Sequence, residues 1–187
     1  MRPSPHTSDP RRRRTREALQ SAFIVLALQR RYDQIRIHDL LEASGVGRST
    51  FHEHFAGKDA LLCARMEGAI SLLADVPTGK AGAPQVAVLL THFWDNRDLA
   101  RGLFQGSALR VIRNARISQV EGRLARRGGA RLRLPPRLAA HALADGLFSP
   151  IVAWLSGDAS QRSDDLAVAL GISPVATLAS MVAASSD

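Results

Sequence analysis

Between Arg48 and His54 the chain sets out Arg, Ser, Thr, Phe, His, Glu and His in unbroken order. At helical spacing Phe51 pairs with Phe55, four residues on, on one side. Arg48, Ser49, Thr50, His52, Glu53 and His54 are left for the other faces. That is donor chemistry. An arginine fork matches the acceptors of a guanine edge, and small hydroxyls serve bases or phosphates. It is not metal or nucleophile chemistry. His52 and His54 stand about 200° apart on a helix, whereas two histidines on one metal favour an i,i+4 spacing. Cys63, the one cysteine, makes no nucleophile–base spacing with any histidine. Asp95, Asp98, Asp145 and Asp158 follow no metal-loop pattern, and there is no glycine-rich phosphate loop. The expectation is a binding protein, not an enzyme, with no cofactor.

Donors at bases need a helix held by one side only. The flanking residues supply it. Ile37–Ser44 is expected to form a first short helix with Ile37, Leu40 and Leu41 on its apolar side. Gly45 suits a left-handed helix end, and Val46 plugs the turn. Gly47 is an accepted cap for a second helix over Arg48–Phe55. Ala56-Gly57 ends that helix, and Lys58 to about Asp75 is expected as one longer helix. Upstream, Arg12–Arg31 carries Leu19, Ala22, Phe23 and Leu26 at i, i+3, i+4 and i+7, the stripe of an amphipathic helix. In helix-turn-helix docking the start of the second helix points at base edges, which singles out Arg48 and Ser49.

The pieces Gly45-Val46, Arg48-Ser49-Thr50-Phe51, His54-Phe55 and Lys58-Asp59-Ala60-Leu61 form a spaced pattern of some ten positions. Over about residues 12–65 it resembles the DNA-binding head of the tetracycline-repressor (TetR) family. There a usual Tyr stands where this chain has His52, a usual helix-capping Thr where it has Arg36, and a usual Ser where it has Gly47. The resemblance implies that Arg48, Ser49 and Thr50 approach bases, with His38 adding a contact. It implies that Thr50, His52, His54 and Lys58 grip the phosphate backbone. A histidine in the tyrosine's place donates one hydrogen bond and is able to gain charge beside a phosphate.

Composition agrees with a nucleic-acid partner. Of 187 residues, 45% are hydrophobic, and the net charge is +8. Lys58 and Lys80 are the only lysines, so the excess is arginine. One cluster is N-terminal: Arg2, Arg11, Arg12, Arg13, Arg14 and Arg16 against Asp9. Beside a DNA reader it suits a basic arm over residues 1–11 that lies along phosphates or in a minor groove. The other is Arg101–Arg137, with Glu121 its lone acid. There a solvated helix face is favoured over an acidic ligand or a second nucleic-acid surface. No apolar run reaches the ~18 residues of a membrane span. No apolar stretch follows the N-terminal charges, and one cysteine suits a reducing compartment, so a cytoplasmic protein without membrane contact is expected.

Beyond a linker at residues 76–84, rich in turn residues, the chain becomes Ala/Leu-rich. Helices are expected at about Pro84–Trp94, Arg97–Phe104, Ser107–Arg127 and Arg137–Leu155. Gly128-Gly129 stops the third. The last helical stretch divides at Gly171 and Ser173-Pro174 into Asp164–Leu170 and Pro174–Ala184. Leu143, Leu147, Ile151 and Leu155 form a stripe, widened by Ala140, Ala144, Phe148 and Val152, which suits a twin chain as partner. The TetR resemblance implies the same, a homodimer through the last two long helices.

The expected architecture is thus all-α. Residues 12–57 form a three-helix head with a helix-turn-helix, and residues 58–187 form a helical ligand-binding and dimerisation domain. A small-molecule effector of unknown identity is expected among the middle helices. Candidate walls are Phe93, Trp94, Phe104 and Phe148, with Met66, Ile70, Leu89, Leu103 and Leu109, and His92 or His141 is the polar handle. Function follows as sequence-specific regulation through double-stranded DNA, with a repressor released by its ligand. The alternative is a ligand-insensitive architectural DNA binder.

Overall fold

The computed structural model describes residues 10–126 and 132–183, which are helical throughout apart from short connections and one isolated bridge between Leu132 and Val182. Among the described residues ten α-helices follow one another: α1 Pro10–Gln29, α2 Ile37–Ser44, α3 Arg48–His54, α4 Lys58–Arg65, α5 Glu67–Asp75, α6 Ala83–Asp95, α7 Arg97–Leu103, α8 Gly106–Arg126, α9 Pro136–Ser156 and α10 Ser163–Met181. The expected arm falls partly outside the described residues, Arg2 and Asp9 included, as do Arg127, Gly128-Gly129 and Ala184. Arg11, Arg12 and Arg13, given to the arm or to a later helix start, lie in the first turn of α1.

The head is built as its pattern dictates. Leu19, Ala22, Phe23 and Leu26 of α1 are buried against Leu40 of α2 and Phe51 of α3. Arg36 precedes α2 in extended conformation, and its main-chain N–H donates to Asp39 Oδ2 at 2.8 Å. That is the return half of a capping box; the half a capping threonine would supply is missing, since Arg36 makes no side-chain cap. Gly45 takes φ +66°, the left-handed helix end that favours glycine.

In the body, α8 lies along α9, and α10 packs most extensively on α6. Three connections differ from expectation. The helix expected from Lys58 to Asp75 is broken at Met66 into α4 and α5. Residues 76–84 are not a solvated linker. Val76 and Pro77 form a buried 3-10 turn that contacts α5 and α10, and Ala81 is buried too. The last helix does not divide. Pro174 sits buried inside a continuous α10, and Gly171 lies so close to Ala83 that a Cβ on it would come within 3.0 Å of the Ala83 main-chain nitrogen. Gly171 therefore permits a close helix approach and does not end a helix.

The stripe assigned to a twin chain is spent at home. Leu143, Leu147, Ile151 and Leu155 are buried within the chain's own core, with Ala140, Ala144 and Phe148. The arginines of α8 differ as well, for most are not a solvated face. Arg113 makes a two-pronged ion pair with Asp145. Arg123 donates to both Asp75 oxygens, at 2.6 and 3.3 Å, and to the hydroxyl and carbonyl of Ser71. Arg116 is fully buried, donates to the Ala144 carbonyl and lies 4.2 Å over the Phe148 ring. Burial pushes its pKa down to about 9. Arg137 pairs with Glu121 at 2.7 Å. Arg110 and Arg126 remain exposed.

Candidate nucleic-acid interface

Helix α3 is fastened by its aromatic pair. Phe51 and Phe55 are buried with ring centroids 6.0 Å apart, and the Arg16 guanidinium of α1 lies 5.3 Å over Phe55. With that side pinned, Arg48, Ser49, His52 and Glu53 are exposed, and Thr50 and His54 are half-buried. His38, in the first turn of α2, is exposed as well. The His52 ring stands edge-on to Phe51 at 5.3 Å, which fixes the direction it leaves the helix. The first turn of α3 carries no acid, so its N-terminal amides and Arg48 present one sign of charge.

Lys58 is used differently from what the resemblance implies. Its ammonium turns inward and donates to the carbonyls of Tyr32 and Ile35, both at 2.9 Å, with the Tyr32 ring 4.5 Å away. Tyr32 in turn donates its hydroxyl to Asp59. Burial, with the Asp59 carboxylate beside it, raises the Tyr32 hydroxyl pKa. This knot ties the start of α4 to the turn between α1 and α2. What Lys58 leaves for a phosphate is its main-chain N–H.

Behind the head, α1, α4, α5, α6 and α7 enclose a cavity of about 230 Å³. His92, Phe93 and Phe104 of the expected set line it, with Met66, Leu89 and Leu103. Five expected lining residues do not. Trp94 turns away, 44% exposed, and stacks on Trp154 at 4.9 Å. Phe148 is buried in the core, edge-on to Phe104 at 4.9 Å. His141 is half-buried on α9, on the side of Asp145, away from this lining. Ile70 and Leu109 likewise belong to the packed core around it. The sequence reading missed Phe23 and Ile24 of α1, and Arg65 and Asn96. Phe23 was visible only as head core, because nothing local says that its far edge borders a second compartment.

Among the described residues no three His, Cys, Asp or Glu side chains gather as a metal site. Burial and the nearby Asp59 raise the Cys63 pKa, the opposite of an activated thiol.

The architecture is a helix-turn-helix head on an all-helical body that holds a cavity. Solved structures agree at the level of fold. A TetR transcriptional regulator from Streptococcus agalactiae is 23% identical, covering 86% of this chain and 95% of that one with a TM-score of 0.55. The dihydroxyacetone kinase operon activator DhaS is 15% identical, covering 90% and 98% with a TM-score of 0.51. The fold of this chain is that of the TetR-family transcriptional regulators. In sequence, it is 50% identical over 50 residues to an uncharacterized HTH-type transcriptional regulator of Bacillus subtilis, YxbF. That match spans 26% of this chain and 13% of the relative. No family model matches the chain. These neighbours are described as regulators of transcription.

Proposed function

We propose that the protein is a homodimeric, sequence-specific DNA-binding regulator that works in the cytoplasm, as a repressor released from a palindromic operator by a small molecule. The observation that carries the reading is α3: one side buried through Phe51 and Phe55, the other presenting exposed Arg48, Ser49 and His52 and half-buried Thr50. A short helix so held can enter a major groove without unfolding anything.

A single head reading one half-site binds weakly, and a second head at fixed spacing supplies the rest. The body offers a face for that second copy, though not the one expected. On α10, Val168, Ile172 and Val175 are 51%, 64% and 40% exposed, and Ala176 and Ala179 continue the same side. On α9, Leu138, Ala142, Gly146 and Pro150 are exposed, one to each turn. By length and composition both helices are apolar enough to cross a membrane, yet α9 has half of its apolar stretch buried in this fold and α10 has 22%. The low figure for α10 is read as a surface waiting for its twin. Ile172→Glu should leave the chain folded and shift it from dimer to monomer by sedimentation. An unchanged dimer would remove this face from the interface.

The test of function is binding to the DNA flanking the protein's own gene, searched for palindromes. Fluorescence anisotropy at matched salt should show the palindrome bound at least tenfold more tightly than a scrambled duplex. Equal binding to both would favour the architectural alternative, and no binding to either would end the DNA reading.

A further inference from the structure

The lining of the cavity is sorted by polarity. Its buried members are Phe23, Phe93, Ala100, Leu103 and Phe104, all apolar. Its polar members, Arg65, His92 and Asn96, are all exposed and so stand at the mouth. No carboxylate lines it. Asn96 donates its amide to the His92 carbonyl at 2.9 Å, and the same nitrogen lies 3.4 Å from His92 Nδ1. Those two side chains brace each other. Arg65, at the end of α4, makes no ion pair among the described residues. Gly68 leaves the wall open beside it, for a Cβ built there meets nothing within 4 Å.

We propose that this cavity takes a small amphipathic monoanion, a medium-chain or arylalkyl carboxylate, with its apolar body inward and its carboxylate at Arg65. The proposal rests on the effector reading above and gives it a chemical class. The phenyl and aliphatic interior rewards burial of a hydrocarbon body and offers nothing to a buried charge. At the mouth an arginine fork matches a carboxylate in two-pronged geometry, and Lys or an ammonium group would not. A cationic ligand would meet Arg65 with no acid on the lining to offset it. The position of Arg65 also gives the ligand a handle on the head. It is the last residue of α4, next to the break at Met66, and α1 of the head supplies Phe23 and Ile24 to the same wall.

Octanoate, octanamide and octylammonium, at matched ionic strength and below micelle formation, test the class on the full chain. Thermal shift and titration calorimetry should show octanoate binding at least tenfold more tightly than octanamide, with octylammonium weakest. Arg65→Gln should erase the difference between octanoate and octanamide while leaving the amide's affinity as it was, and Arg65→Lys should keep part of it. Gly68→Leu, which narrows the mouth without entering the core, should weaken all binding. Amide and acid bound alike, or an Arg65→Gln protein that still prefers the acid, would overturn the anion and leave the cavity reading standing. Failure of all three probes to bind would overturn both.

Discussion

Two groups of arginine, equally conspicuous in the sequence, meet opposite fates in the fold. Those of the head, Arg11 to Arg14 and Arg48, stand exposed along α1 and at the tip of α3. Those of the body, Arg113, Arg116, Arg123 and Arg137, are spent on Asp145, the Ala144 carbonyl, Asp75 with Ser71, and Glu121. The residue type is the same. In the head, Arg13 pairs along its own helix with Glu17 at 3.6 Å, whereas the body arginines reach acids and carbonyls far away in the chain. Asp75 and Asp145 are 48 and 32 residues from their partners, so no local pattern announces the pairing. Positive charge in a sequence thus names a nucleic-acid surface only after the fold has shown which charges it keeps for itself.

The sharpest way to break this contrast is Arg123→Ala. Its side chain is only 11% exposed and satisfies four acceptor atoms on α5. Removing it should cost about 3 kcal/mol of stability in urea unfolding, with the operator affinity of the folded dimer unchanged. A variant as stable as wild type would return Arg123 to the solvated class. The mirror experiment is Arg48→Ala. It should leave the melting temperature alone and cost about 1–3 kcal/mol on operator, with far less on random DNA. Equal losses on both duplexes would deny it a base.

Acid separates the two groups further. Hydrogen bonds from Arg123 and Arg113 lower the pKa of Asp75 and Asp145 respectively. A carboxyl with a depressed folded pKa contributes stability that is complete above its unfolded value, about 4, and is lost as pH falls through the folded value. The protein should therefore lose melting temperature below about pH 4. Asp75→Asn should lower stability at neutral pH and flatten that acid limb. An unaltered limb would place the acid sensitivity elsewhere. The smallest effect is expected from deleting residues 1–13. The salt slope of operator binding should flatten by about 0.9 for each phosphate that the arm had neutralised, while α1 keeps its buried stripe. An unchanged slope would mean that these arginines touch no DNA.

How much of this was legible depends on the range of the signal. The head was readable because its determinants are local: a left-handed glycine at 45, a valine plug, an i,i+4 phenylalanine pair. The bounds of α2 fall where the sequence puts them, and α3 stops one residue short. The body misled where a residue's reason is tertiary. Gly171 and Pro174 look like helix breakers, yet Gly171 is there to admit Ala83, and Pro174 is buried in packing that offsets its local cost. Met66 carries no breaking residue type, so the joint between α4 and α5 had no local mark. The cavity was half legible. An aromatic residue can be named as a wall, but which of Phe93, Trp94, Phe104 and Phe148 share a void is settled only by the angles at which α6, α7 and α9 cross.

The knot of Tyr32, Asp59 and Lys58 has a mechanical consequence. It fastens the start of α4 to the turn between α1 and α2, while the other end of α4 stops at Met66, which lines the cavity. A strut of eight residues, about 12 Å long, is then a crank. If a molecule in the cavity displaced the Met66 end, a rigid α4 fastened at Lys58 would carry that displacement to α2 and α3. Loosening the weld with Tyr32→Phe or Lys58→Met should make a protein that binds its effector, binds its operator, and no longer lets either know of the other.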